Sequence, residues 1–136
     1  LNTMRMRIAV AAAFVMVLVL AAPMCASADD YQVDFQVSPQ TLYLNAEVTW
    51  VTIHVPVAYN SIFDYCVSFD GVDVPVAWDK ADLQGDLVIK LSTDDVAAAV
   101  QPDVVELAVD GMLWSGDTFG GAMDYTIRDG ANQKSR

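Results

Sequence analysis

The sequence predicts an all-β protein, an antiparallel β-sandwich of about seven strands with one short helical turn. Apolar and polar residues alternate in most segments after residue 29, which is the period of two that a half-buried strand requires. Clusters of Gly, Asp and Pro separate these segments at intervals of about 8–12 residues, as in sandwiches. Only one segment has a helical signature, whereas a parallel sheet would need several crossover helices.

Alternation also assigns the two faces of the predicted strands. In the second strand, Val51, Ile53 and Val55 share one face, which we expect to be buried, and His54 lies on the other. Asp-Gly at 70–71 and at 110–111 predicts two tight turns. The predicted strands span residues 31–37, 47–57, 64–69, 72–78, 86–91, 104–109 and 119–127. The predicted core contains Val51, Ile53, Val55, Val67, Phe69, Val88, Leu107 and Val109.

The helical segment begins after the fifth strand. Ser92 stands ahead of Thr93 and a run of Asp, Val and Ala residues, so a capping side chain precedes good helix formers. Pro102 limits the helix to one or two turns, because proline cannot continue the hydrogen-bonding pattern. We therefore predict one short helix between two strands.

Residues 1–28 have the order of a secretory signal peptide. Arg5 and Arg7 form a basic start, Ile8–Ala22 is an uninterrupted apolar run of 15 residues, and Ala26-Ser27-Ala28 supplies small residues at alternate positions. A membrane span needs roughly 20 apolar residues, so an uncleaved anchor is the weaker alternative. We expect cleavage after Ala28, no stable membrane span afterwards, and a secreted, periplasmic or cell-envelope location.

The chain then divides into a signal peptide at 1–28, one sandwich domain at 29–128 and a loose polar tail at 129–136. Loss of the leader removes Cys25, for which lipidation is a further alternative. Cys66 remains alone, which excludes a disulfide framework within the chain. We expect Cys66 to be a small buried hydrophobe, with an intermolecular disulfide as the alternative.

The charge of the chain excludes several partners. Residues 29–136 contain all eighteen acidic residues, sixteen of them Asp, and five of the seven basic ones, which gives a net charge of −13. Such a charge repels the phosphates of nucleic acids and anionic membrane surfaces. Asp is a common turn residue, so the acidic residues predict acidic connections between strands.

Several segments together resemble a known family. They are VSPQTLYLN at 37–45, WVTIHVPV at 50–57, VSFDGVDVPVAW at 67–78, LVIKLSTDDVAAAV at 87–100, VVELAVDGML at 104–113 and DTFGGAMDYTIRD at 117–129. In this order they resemble a small immunoglobulin-like module that recurs in exported proteins of bacteria and archaea. The resemblance covers nearly all of residues 29–136. It implies an immunoglobulin-like sandwich and a non-catalytic module, and it transfers no active-site residues.

The residues with catalytic potential predict that the protein is not an enzyme. His54 is the one histidine, and nucleophilic catalysis usually needs a histidine beside the nucleophile. One histidine and one remaining cysteine cannot fill the usual zinc ligand sets. The many Asp residues make chance carboxylate pairs unavoidable, and a short sandwich offers little cleft for glycosidase chemistry. Phosphate-loop and dinucleotide-binding patterns are absent, so we assign no catalytic residue, no cofactor and no metal site.

Calcium is the inorganic partner that the sequence favours most. Asp79, Asp82 and Asp86 put three carboxylates in one connection, and Asp94-Asp95 follows one strand later. Calcium accepts six to eight oxygen ligands in flexible geometry. The spacing of an EF-hand is missing, so solvated turns are the default interpretation and calcium the alternative.

Trp50, Trp78 and Trp114 separate two hypotheses about function. The first is a non-catalytic module for interaction with another exported or surface protein, or for a structural role. The second is a small carbohydrate-binding module that uses the tryptophan rings. Burial of the three rings favours the first, because sandwiches bury one or two tryptophans. Coplanar, exposed rings favour the second.

Overall fold

The computed structural model describes residues 29–45 and 47–130. The predicted signal peptide and residues 131–136 of the predicted tail lie outside this part of the chain. Within it, no helix is long and apolar enough to cross a membrane.

The described residues form ten β-strands, a 3₁₀ turn at Tyr59–Ser61 and one α-helix, α1, at Thr93–Ala99. The strands in chain order are β1 Tyr31–Gln32, β2 Gln36–Ser38, β3 Thr41–Tyr43, β4 Trp50–Ala58, β5 Ile62–Phe69, β6 Val72–Asp73, β7 Trp78–Ala81, β8 Asp86–Ser92, β9 Asp103–Leu113 and β10 Thr118–Arg128.

The strands form two sheets. One has the order β1-β10-β9-β5-β6, with β3 also pairing with β10, and the other has the order β2-β4-β8-β7. The predicted all-β architecture is therefore confirmed. The sheets are not purely antiparallel as predicted, because β10 pairs in parallel with both β1 and β3. Short additional pieces raise the strand count above the expected seven.

The first predicted strand is divided between the sheets. β1 pairs with β10, and the Val33 amide continues this pairing by donating to the Gly120 carbonyl at 2.9 Å. β2 then pairs with β4 in the other sheet. A Cβ on Gly121 would overlap the Val33 carbonyl oxygen, so this crossing depends on a residue without a side chain. The period of two continues through the crossing, and the sequence therefore could not reveal it.

One of the two predicted Asp-Gly turns forms. Asp70 and Gly71 have φ angles of 50° and 79°, as a two-residue hairpin between β5 and β6 requires. The turn predicted at 110–111 is wrong, because β9 passes through Gly111 to Leu113. A Cβ on Gly111 would lie 2.6 Å from Phe119 Cε2, so the glycine makes room for this ring.

The core lies between the sheets and contains seven of the eight predicted residues, each at most 1% exposed. The assignment of Val88 to this core is wrong. Val88 is buried, but the core side of β8 is formed by Leu87, Ile89 and Leu91. Three successive apolar residues, Leu87 to Ile89, leave the inward face of this strand ambiguous in the sequence.

The short helix is confirmed, although its start differs in detail. Ser92 occupies the N-cap position but makes no capping hydrogen bond through its side chain. The Thr93 hydroxyl instead donates to the Val48 carbonyl at 2.9 Å, which ties α1 to the chain before β4. Val96 is fully buried and anchors the helix on the core.

Cys66 lies in β5 and is half-buried and disulfide-bonded. The expectation of a lone, buried thiol is therefore wrong. That expectation depended on the loss of Cys25, the other cysteine of the chain, with the predicted signal peptide.

Candidate functional site

A cleft with a volume of about 350 Å³ opens where β4 leads through the 3₁₀ turn into β5. Four aromatic side chains line it, and two carboxylates and an amide supply polar groups. We call it the aromatic cleft. Its main lining residues are Tyr59, Asn60, Phe63, Asp64, Tyr65, Asp79, Leu87 and Trp114.

Asp79 is the hydrogen-bonding centre of the cleft. Its Oδ1 accepts a hydrogen bond from the Tyr59 hydroxyl at 2.7 Å, and its Oδ2 accepts one from the Tyr65 hydroxyl at 2.5 Å. Tyr65 belongs to β5 and Asp79 to β7, so the second bond joins the two sheets. Alternation along β7 directs Asp79 into the cleft and Lys80 to the opposite side.

Both tyrosines remain protonated donors. Burial, together with the hydrogen bond to Asp79 and its negative charge, raises the pKa of Tyr65 far above its usual range. The hydrogen bond to Asp79 and the charge of this carboxylate also raise the pKa of Tyr59. The arrangement therefore keeps one carboxylate fixed as an acceptor within an aromatic wall.

Phe63 and Trp114 form the open rim of the cleft. The pairing of β5 with β9 shifts register between Ile62 and Asp64, which places Phe63 in a bulge that faces solvent. Trp114 lies in the turn between β9 and β10, and its amide donates to the Ser61 carbonyl at 2.9 Å. The two rings meet edge to face, with centroids 4.7 Å apart and planes 77° apart.

A second aromatic surface lies on the outer side of the four-stranded sheet. Trp50 and Trp78 are exposed there, with ring centroids 6.3 Å apart and planes 76° apart. Lys80 Nζ and Lys90 Nζ lie 5.7 Å and 5.6 Å from the Trp78 ring centroid. Lys90 also donates to the Thr52 hydroxyl at 2.8 Å. We call these five residues the lysine–tryptophan face.

His54 lies on the same outer side, exposed, as the alternation along β4 predicts. It pairs across the sheet with Gln36 of β2 and Val88 of β8. Its side chain lies near Asp82, whose pKa is lowered chiefly by the hydrogen bond from the Asp86 amide and in part by the charge of His54. The histidine is thus separate from the aromatic cleft and from its carboxylates.

The three carboxylates considered for calcium have different roles. Asp79 binds the two tyrosines of the cleft, whereas Asp82 Oδ1 accepts from the amides of Gln84 and Asp86 at 2.8 Å and 3.0 Å. Asp82 therefore stabilises its own turn. Among the residues that the structure describes, no group of three or more His, Cys, Asp or Glu side chains is arranged to hold a metal ion.

A carboxyl pair, Asp29 and Asp110, is a feature that the sequence did not predict. Asp110 is only 7% exposed, and its carboxyl group lies close to that of Asp29 beside Gly120. Burial first, then hydrogen bonding to Asp29 and the charges of Asp29 and Glu106, raise the pKa of Asp110 to about 7. A Cβ on Gly120 would overlap both carboxyl groups, so the glycine gives them room. The paired glycines at 120 and 121 were the available signal for a close approach.

The aromatic cleft brings together residues that the sequence analysis treated separately or not at all. Trp114 was noted as a tryptophan and Asp79 as a calcium candidate, and both line the cleft. No local sequence signal marks Tyr59, Phe63 or Tyr65 as site residues. These three residues come together because of the bulge at Phe63 and the packing of strands that are distant in sequence. Apolar–polar alternation along a single strand does not predict either feature.

Comparison with known proteins gives little further information. No known family matches the chain, and no curated protein matches it. One similar solved structure is a tri-modular GH5 (subfamily 4) endo-β-1,4-glucanase from Bacillus licheniformis, complexed with cellotetraose. The identity is 14%, the match covers 69% of this chain and 18% of that chain, and the TM-score is 0.40. A similarity at this level carries no argument about function.

Proposed function

We propose that the chain is an exported, non-catalytic, immunoglobulin-like module that binds another exported or cell-surface protein. The strand orders support the immunoglobulin-like topology. The order β2-β4-β8-β7 corresponds to strands A, B, E and D, and β5, β9 and β10 correspond to C, F and G. On this assignment β1, β3 and β6 are short additions at the edges of the second sheet.

The observation that carries the binding function is the exposure of the tryptophans. All three tryptophans of the chain are exposed, by 39% for Trp50, 42% for Trp78 and 69% for Trp114. The expectation that the sandwich buries one or two of them is therefore wrong, so burial does not separate protein binding from carbohydrate binding. The angle between the rings does, because the planes of Trp50 and Trp78 are 76° apart and not coplanar. Aromatic side chains are enriched in protein interfaces, where burial of their large apolar area stabilises the complex. The three rings lie in two clusters, the aromatic cleft and the lysine–tryptophan face.

The non-catalytic part of the proposal is supported by where the reactive groups lie. His54 projects from an open sheet face and does not line the aromatic cleft that contains Asp79. A general base must reach the proton that it removes, and a nucleophile needs a neighbouring base. This arrangement favours recognition over catalysis.

A carbohydrate-binding module is the second candidate, because exposed tryptophans also suit sugar rings. Its geometry is less favourable, since the planes of Trp50 and Trp78 differ by 76° and do not form one flat platform. Both lysines of the lysine–tryptophan face also lie close to the Trp78 ring. We therefore place protein binding first.

The test uses the secreted protein, immobilised, and compares two double variants. One is Phe63→Ala with Trp114→Ala, and the other is Trp50→Ala with Trp78→Ala. All four side chains are exposed, so both variants should fold. We expect the wild type to retain a defined exported protein from its producing cells, and one of the two variants to lose it. Tryptophan-dependent retention on insoluble cellulose or chitin, without a protein partner, would instead establish the carbohydrate-binding function.

A further inference from the structure

We propose that the aromatic cleft receives an arginine side chain from a basic segment of the partner protein. This inference rests on the proposed protein-binding function and specifies the chemistry of the contact. It follows from three properties of the cleft: the unused capacity of one carboxylate, the exposed aromatic rim and the charge of the surrounding surface.

The Asp79 carboxylate has hydrogen-bonding capacity left on both oxygens. A carboxylate offers about four acceptor positions. The Tyr59 hydroxyl uses one on Oδ1, and the Tyr65 hydroxyl uses one on Oδ2. One position therefore remains on each oxygen, which is what the paired N–H groups of a guanidinium need for a bidentate contact. The two tyrosines also hold the carboxylate in one orientation, so little side-chain entropy is lost on binding.

The aromatic rim suits the same group. Phe63 and Trp114 are 54% and 69% exposed, and their edge-to-face contact leaves ring surface available. A guanidinium is planar and weakly hydrated, and it stacks on aromatic faces better than an ammonium does. A cleft of about 350 Å³ accommodates the guanidinium together with the methylenes that precede it.

The charge distribution favours a cation at this site. The described residues contain eighteen acidic side chains and three Lys or Arg side chains. Two of those three, Lys80 and Lys90, lie beside Trp78 on the lysine–tryptophan face. The field around the cleft therefore attracts basic segments and repels acidic ones. A neutral sugar would gain nothing from this field.

The experiment is a titration of the full secreted chain, followed by NMR at the tryptophan indole N–H and backbone amide signals. The probe is the tripeptide acetyl-Gly-Arg-Gly-amide, and its control replaces arginine by citrulline, which has nearly the same shape but no charge. We expect the arginine peptide to shift the signals of Trp114 and of residues 59–65, and to bind about tenfold more tightly than the citrulline peptide.

Matched variants separate the cleft from general electrostatics. We expect Asp79→Asn to weaken binding of the arginine peptide about tenfold, and Trp114→Ala to weaken it about threefold to fivefold. Asp124→Asn makes the same charge change on an exposed position of β10, and Trp50→Ala removes an exposed ring outside the cleft. Both controls should leave the affinity nearly unchanged. Trp114→Ala keeps the test valid if Asp79→Asn impairs folding.

Three results would overturn the inference: equal affinity for the arginine and citrulline peptides, equal weakening by Asp79→Asn and Asp124→Asn, or shifts confined to the lysine–tryptophan face. A neutral glucan oligosaccharide that shifts the Trp114 signal more strongly than the arginine peptide would also overturn it. If the protein does not prefer the arginine peptide but still retains a partner through Phe63 and Trp114, this inference is rejected and the proposed function stands. Arginine selectivity without any retained exported protein rejects the proposed function.

Discussion

Asp29 and Asp110 hold their carboxyl groups close together beside Gly120, which leaves them room. Two carboxylates this close cannot both ionise without repulsion, and burial adds to the cost. The pKa of Asp110 is accordingly raised to about 7. The pair therefore makes the stability of the domain depend on pH near neutrality.

We expect the melting temperature to fall as the pH rises from 5 to 8. The folded pKa of Asp110, about 7, lies above that of an unfolded Asp, so the native state binds the extra proton between these values. That proton stabilises the fold below pH 7 and is lost as the pH rises through 7. Because solvent screens part of the interaction, we expect about 1 kcal/mol, or roughly 4–8 °C. Calorimetry at several pH values measures this.

Asp110→Asn provides the control for this prediction, because the amide keeps the shape without the titration. Its melting temperature should change little between pH 5 and 8. A wild-type slope that survives unchanged in Asp110→Asn would assign the pH dependence to other groups. Asp124→Asn, on an exposed position, should retain the wild-type slope.

Tyr65→Phe should destabilise the domain by about 1–2 kcal/mol, since hydrogen bonds to charged groups contribute roughly 1.5–3 kcal/mol. The change removes the bond that joins β5 to Asp79 of the other sheet. Tyr59→Phe removes the corresponding bond at an exposed position and should cost less than about 0.5 kcal/mol. Urea denaturation of the two variants compares them, and equal losses would contradict a special role for the bond between sheets.

Gly111→Ala should destabilise the domain by about 2–3 kcal/mol, because overpacking of a core typically costs 1–3 kcal/mol. The new Cβ would lie 2.6 Å from Phe119 Cε2 and 2.7 Å from the Asp64 carbonyl oxygen. Phe119→Leu alone should also destabilise, by leaving a cavity. In the double variant the two losses should not add, since the smaller side chain relieves the overlap. Strict additivity would show that the ring is not the obstacle.

His54→Ala should change the free energy of unfolding by less than about 0.5 kcal/mol, the usual range for surface substitutions. The side chain is exposed on β4 and faces away from the core. Partner binding through the aromatic cleft should also be unchanged. Loss of a hydrolytic activity of the protein in this variant would reject the non-catalytic proposal.

Sodium chloride should raise the melting temperature between low salt and about 0.15 M, where the Debye length is roughly 8 Å. The reason is self-repulsion among the eighteen acidic residues, which salt screens. Calcium chloride at equal ionic strength is the comparison. A sharp response to micromolar calcium with none to sodium chloride would show a specific site, and Asp79, Asp82 and Asp86 would be the first residues to replace.

The sequence predicted local features such as turns and strand faces, but it did not predict contacts between different strands. The same dipeptide, Asp-Gly, forms a turn at 70–71 and lies within a strand at 110–111. At the second position the close contacts are the Phe119 ring, from the paired strand β10, and the Asp29 carboxyl, which is distant in sequence. Alternation placed Val51, Ile53 and Val55 correctly but could not choose between Val88 and its neighbours in an unbroken apolar run.

The candidate site was less predictable than the fold, for the same reason. Tyr59, Tyr65 and Asp79 converge only because β5 and β7 approach each other from different sheets. Whether the tryptophans are buried or exposed bears directly on function. The sequence left this question open, because composition alone does not determine which side chains are buried. The bulge at Phe63 adds this ring to the rim of the cleft, so the cleft depends on several segments of the chain together.

The parallel pairing of β10 with β1 and β3 has a mechanical consequence. The residue pairs Tyr31 with Phe119 and Thr41 with Thr126 join the beginning of the described domain to its final strand. Tension applied between the two ends pulls parallel neighbours past each other along their length. The backbone hydrogen bonds of these pairs then share the load and must break together, whereas tension across a hairpin opens its bonds one after another. A domain held at both ends would thus resist stretching through the pairing of β1 and β3 with β10.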